Sequence, residues 1–190
     1  MKQSKVLNKS VAMKRASGRQ WVLKPQDLAI ALKLVSLKGV WLPYAALGDA
    51  MRLSRFEAHA AIQRLIAARL VVEIDGPPQP VMVALRQFVI FGAPYTYPAV
   101  HGEMTIGFPT AHGALPLKEM MVPSNDPPPV WPHPEGKVRG PGLLPLYEKL
   151  PLAAVEDKNL YELLALFDAL RAGQAKEREL AKKLLEERLQ

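Results

Sequence analysis

Residues 42–73 read LPYAALGDAMRLSRFEAHAAIQRLIAARLVVE, and the reading of this stretch decides how the rest of the chain is understood. Two helical repeats are joined by the short break Arg52-Leu53-Ser54 and closed by the apolar pair Val71-Val72. Ser54 can accept a hydrogen bond from a free backbone N–H of the following first turn, while Glu57, three residues on, can reach back to the Ser54 amide. That reciprocal box marks the start of a helix. From there Ala58, Ala61, Ile62, Leu65 and Ile66 recur at helical spacing and point toward a core. Arg55, Phe56, His59, Gln63 and Arg64 are left outside or at the margin. The shorter repeat before the break predicts a helix over residues 44–51, packed through Leu47 and Ala50.

Upstream, Trp21, Val22 and Leu23 form an extended patch, and Pro25 fits a first helical position because its missing N–H would have had no partner there. The predicted helix covers residues 25–38, with Leu28, Ala31, Leu32 and Val35 as its buried stripe and Gly39 as its stop. Val40, Trp41 and Leu42 read as a small strand. Downstream of Pro80, Val81, Leu85, Phe88 and Val89 return at helical spacing and predict a fourth helix over residues 81–91. The alternative is a hairpin turning at Asp75-Gly76, with residues 81–85 as its return strand.

The Ser-started helix, its Ala61-Ile62 pair and its ending Ala68-Arg69-Leu70-Val71 resemble the MarR-type and related bacterial winged-helix regulators, over about residues 20–92. That resemblance implies a winged helix-turn-helix whose second helix reads double-stranded DNA in the major groove. On it, the DNA-contacting residues are Arg55, Phe56, His59, Gln63 and Arg64, joined by Lys14, Arg15 and Arg19 of the N-terminal segment. The expected function is transcription regulation by a homodimeric repressor. An autoregulating antitoxin-like protein with a toxin-like protein partner has a similar layout. The sequence departs from the family in two places. Arg69 stands where those regulators usually carry glycine, and residues 73–80 (EIDGPPQP) hold no Lys or Arg to meet a phosphate. This second departure supports an alternative, a protein–protein interaction adaptor that uses a winged helix without DNA.

Charge distribution points the same way as the resemblance. The formal net charge is +7, but residues 1–20 carry six basic and no acidic side chains, residues 21–100 carry eight basic against five acidic, and residues 101–190 carry eleven against thirteen. The positive excess therefore lies in the N-terminal half, as expected of a polyanion binder. Residues 1–19 are too polar to offset the entropy of ordering and read as a flexible basic arm.

From residue 93 to 150 the composition shifts, with twelve of the chain's eighteen prolines between Pro94 and Pro145. Such density argues against long helices and continuous ladders. The apolar content still calls for an ordered, irregular segment, with short strands near residues 104–107 and 137–140. Residues 151–190 return to amphipathic helix. Leu160, Leu163, Leu164, Phe167 and Leu170 form one stripe, and after Gly173 a second contains Leu180, Leu184, Leu185 and Leu189. Such a pair can form a dimer or pack back on its own domain. The fold class expected is mainly α (α+β): arm 1–19, winged helix-turn-helix 20–92, Pro-rich wrapping segment 93–150, C-terminal helical region 151–190.

The chain has no cysteine, which removes disulfides, thiolate nucleophiles and Cys-ligated zinc. His101, His112 and His133 lack metal-site spacing, and Ser124 has no evident base. No phosphate-cradling glycine loop is present. The expectations are no catalytic residues, no metal, no cofactor, no membrane span and a cytoplasmic location.

Overall fold

The chain's computed structural model describes residues 21–122 and 126–190. The expected arm, with Lys14, Arg15 and Arg19, lies outside the described residues, as does Ser124. The first helix, α1 (Pro25–Ser36), begins as its sequence dictates: Pro25 opens it, and the Asp27 carboxylate accepts the Lys24 amide N–H at 2.8 Å. The expectation of a single buried stripe is too modest. Every residue from Asp27 to Leu34 is buried, because other helices wall α1 on more than one side.

α2 (Tyr44–Ala50) and α3 (Arg55–Ala67) follow, joined by a tight turn. Residues 40–42 do not form the expected strand. The only hairpin nearby pairs with itself, and Trp41 packs edge-on against Tyr44 at a centroid distance of 5.3 Å. Each of the three helices ends on a cationic residue with positive φ, namely Lys38 (50°), Arg52 (55°) and Arg69 (59°). After α3, the Leu70 amide donates to the Leu65 carbonyl and the Arg69 amide to the Ile66 carbonyl, both at 2.9 Å. This is the Schellman arrangement that closes a helix with a left-handed residue, usually glycine. Arginine fills that position here, and a cation beside a helix C-terminus meets the negative end of the helix dipole.

β1 (Val71–Val72) then pairs antiparallel with β2 (Gln79–Pro80), and α4 (Met82–Gln87) starts two residues later. Hairpin and helix are both present, but the return strand is residues 79–80 rather than 81–85. The helical path runs on past the expected end at 91 through a π-turn (Phe88–Gly92) into α5 (Ala93–Thr96).

The Pro-rich segment is more regular than its composition predicts. β3 (His101–Pro109) is a continuous nine-residue strand. A single 3-10 turn (Ala111–Gly113), α6 (Leu117–Met120), β4 (Val130–Pro132) and β5 (Val138–Leu143) follow. β3 pairs antiparallel with β4 and with β5, and β4 meets β5 in parallel at Val130 and Gly142, so the three strands close on themselves. Proline is tolerated because it sits at strand ends (Pro109, Pro132) or, as Pro141, beside the register shift between His101 and Met104. Closure at this radius requires missing side chains. A Cβ on Gly107 would lie 2.0 Å from the Trp131 carbonyl oxygen, and one on Gly140 would lie 1.9 Å from that of Pro128.

α7 (Leu150–Val155), α8 (Lys158–Ala172) and α9 (Ala175–Arg188) complete the chain. Asp157 caps α8 by accepting the Leu160 amide N–H at 3.0 Å. α8 packs against α1, α7 and α9 and is buried continuously from Leu163 to Ala169. The two C-terminal leucine stripes are thus covered from within the chain, with Leu170 and Leu180 half-buried, so their pattern reports internal packing. On α9, Lys182 and Glu186 stand one turn apart as an ion pair at 4.0 Å.

The barrel is tied to α8 by one buried carboxylate. Asp168 accepts Trp131 Nε1–H at 2.6 Å, the Thr110 hydroxyl at 2.7 Å and Arg171 Nε–H at 2.8 Å. Every lone pair that matters is answered, which is what makes a charge tolerable in this position. The fold is mixed α+β, as the sequence patterning predicts. A single apolar core runs from Leu28 to Leu189 without a break at residue 92 or 150.

Candidate nucleic-acid interface

The outer row of α3 is positioned from its first residue. The Ser54 amide N–H donates to Glu57 Oε2 at 2.9 Å, and the Glu57 amide donates to Ser54 Oγ at 3.2 Å. The hydrogen bond from the Ser54 amide is the main reason that the Glu57 carboxyl is held below the usual carboxylate range. The approach to Ser54 depends on Gly48, where a Cβ would come within 2.8 Å of the Leu53 carbonyl oxygen. The turn is also braced from far along the chain. Arg52 pairs with Glu156, and the Tyr147 hydroxyl donates to the Met51 carbonyl at 2.7 Å.

With this start, Ala58, Ala61, Ile62 and Leu65 are buried and Ile66 is half-buried, as the spacing predicts. Arg55, Phe56 and His59 are exposed, and Gln63 is half-buried. The Arg55 guanidinium lies 5.1 Å from the Phe56 ring centroid, and Phe56 is 74% exposed. His59 packs edge-on against Tyr44 at 4.9 Å, so one side of its imidazole is fixed by α2. Tyr44 has its hydroxyl pKa raised by burial and then by the nearby Glu73 carboxylate.

Arg64 does not belong with that row. Its Nε donates to Asp27 Oδ2 at 2.7 Å and its Nη2 to Asp27 Oδ1 at 2.6 Å, and Asp27 is fully buried. The two-pronged geometry occupies the guanidinium on the α1 side, so Arg64 is engaged as a structural cation. Its partner went unread because 37 positions separate the two residues and Asp27 fits its local role as a helix-start acid.

No group of three or more His, Cys, Asp or Glu placed to hold an ion occurs among the described residues. His133 stacks on Phe108 at 5.2 Å, and His101 is exposed on β3. His112 lies 3.1 Å from Glu177 without the alignment of a hydrogen bond, an ion pair only when its ring is protonated. No helix among the described residues is long and apolar enough to cross a membrane. Comparison with family models, with curated proteins and with solved structures finds no match to this chain.

Proposed function

We propose that the protein is a double-stranded DNA-binding transcriptional regulator in which α1–α3 and the β1–β2 hairpin act as a winged helix-turn-helix. The observation that carries this reading is the division of α3. Its inner face is buried to Leu65, while Arg55, Phe56 and His59 project into solvent from its first turns. Early residues of a recognition helix are the ones that reach base edges. Arg can bond guanine in two places, Gln can do the same for adenine, and Phe can contact the thymine methyl. Lys14, Arg15 and Arg19 would add sequence-independent phosphate contacts. The hairpin loop, residues 73–78, adds none, since it has no cation. The regulator acts as a homodimer that represses by occluding a promoter. Its dimer contact lies outside the covered α8 and α9 stripes.

A second reading is favoured by one observation. Phe56 on α3 and Ile74 in the hairpin loop are each 74% exposed, and the α3 row has a single free-standing cation, which suits a protein partner, toxin-like or other, as well as it suits DNA. Selection of bound duplexes from a random-sequence pool with the full chain separates the two. An enriched palindromic motif with half-sites about 34 Å apart supports the regulator. A pool that stays random after repeated rounds removes it and leaves the adaptor.

A further inference from the structure

The segment after β3, the end of α7 and the start of α8 line an open cleft of about 380 Å³. Its walls are mostly apolar, with Leu115 on one side and Ala154 and Val155 on the other, and Tyr161 lines it with its hydroxyl bonded to the Pro109 carbonyl. Lys118 of α6 and Lys158 of α8 approach it from different elements. Lys118 has no ion-pair partner among the described residues, and Lys158 reaches only Glu162, at 4.0 Å. Glu162, the carboxylate of the wall, is held by Arg188 at 2.8 Å. The cleft therefore offers an apolar body and two weakly engaged ammonium groups. Its volume falls within the ordinary range for small-molecule sites, about 300 to 1,000 Å³.

We propose that this cleft binds a small amphipathic carboxylate and that α7 carries its occupancy to the α2–α3 turn. Ala154 and Val155, the last two residues of α7, line the cleft, and the very next residue, Glu156, holds Arg52 in that turn. Tyr147, just ahead of α7, bonds the Met51 carbonyl of the same turn. A ligand that shifts α7 thus acts on both braces of the α3 start. Binding itself needs no DNA and stands apart from the regulator reading.

The native reporter is Trp131, whose ring centroid is 5.1 Å from that of Tyr161. In the full chain carrying Trp21→Phe and Trp41→Phe, Trp131 fluorescence is titrated with 4-phenylbutyrate, the neutral 4-phenylbutanol and the cationic 4-phenylbutylamine. The acid is expected to saturate below about 1 mM. The alcohol should bind roughly five-fold more weakly and the amine more weakly still, as expected from partly exposed charges. Lys118→Ala and Lys158→Ala should each weaken the acid by about two- to five-fold and leave the alcohol unchanged. Acid and alcohol binding alike would overturn the carboxylate assignment, and no saturable signal by fluorescence or calorimetry would overturn the site. Amide exchange at residues 52–54 should quicken with the acid in wild type, and respond less in Glu156→Ala, which keeps only the Tyr147 brace. Unchanged exchange in saturated wild type would overturn the α7 link.

Discussion

Asp27 and Arg64 meet through two parallel hydrogen bonds, at 2.7 and 2.6 Å, and this pair fastens the side of α3 to the start of α1. The carboxylate also holds the Lys24 amide at 2.8 Å, so three donors converge on a group with no access to water. Removing one partner strands the other charge. Arg64→Ala is expected to lower stability by about 3 to 5 kcal/mol, read from the urea midpoint, and Arg64→Ala with Asp27→Asn should recover part of that loss. A loss under about 1 kcal/mol would return Arg64 to the surface row.

Arg55 and the basic N-terminal segment should fail in different ways. Arg55→Ala is expected to lose about 1 to 3 kcal/mol of discrimination between selected and random duplexes. Deleting residues 2–15 should weaken both duplexes alike and flatten the dependence of log affinity on log salt. Titrations of both variants on both duplexes at two salt concentrations check this, and an Arg55→Ala effect equal on both would make Arg55 a phosphate contact.

Asp157 sets an acid limit. Burial pushes its carboxyl up, but hydrogen bonds from Lys33 at 2.7 Å, the Leu160 amide and the Ser36 hydroxyl outweigh burial and hold it below its ordinary value of 3.8. A depressed folded value means that the stabilisation is complete above the unfolded pKa and is lost as pH falls through the folded one. The gap in urea midpoint between wild type and Asp157→Asn should therefore be constant from neutral pH down to about 5 and shrink below about 4. A gap that widens in acid would mean that the pair does not hold the ionised form.

How much of this was legible follows from the range of each interaction. The α3 box, the break at residues 52–54 and the Gly173 interruption are local, so Ser54, Glu57, Gly173 and the leucine stripes announced them. The Asp27–Arg64 pair and the bonds from Thr110 and Trp131 to Asp168 join partners 37 to 58 positions apart, the barrel joins strands from separate parts of the chain, and none of these leaves a periodic trace. Proline density misled for the same reason. It reports which backbone donors are missing, while the partner strand decides whether those donors were needed.

Gly140 tests the barrel closure. With a Cβ placed 1.9 Å from the Pro128 carbonyl oxygen, Gly140→Ala forces two backbones apart and should cost about 1 to 3 kcal/mol with a change in Trp131 fluorescence. An unchanged midpoint would mean that the strands separate freely.

Arg69 predicts the opposite sign. At φ 59° a side chain is strained by roughly 1 to 2 kcal/mol, so Arg69→Gly should raise stability by about 1 kcal/mol, read as a higher urea midpoint, after glycine's own entropy cost is counted. A lower midpoint would show that the cation at the helix end outweighs the strain.

Because α1 packs on both α3 and α8, it is a party wall rather than an outer wall. Its α8 side includes Lys33 and Ser36, both bonded to Asp157, and a fragment ending before α8 would leave those polar groups and the neighbouring leucines bare. Helices α1 to α3 are therefore not an interchangeable head that could be grafted onto another body. Fusion partners belong at the termini, and a transplant of the N-terminal half alone would carry half of a core with it.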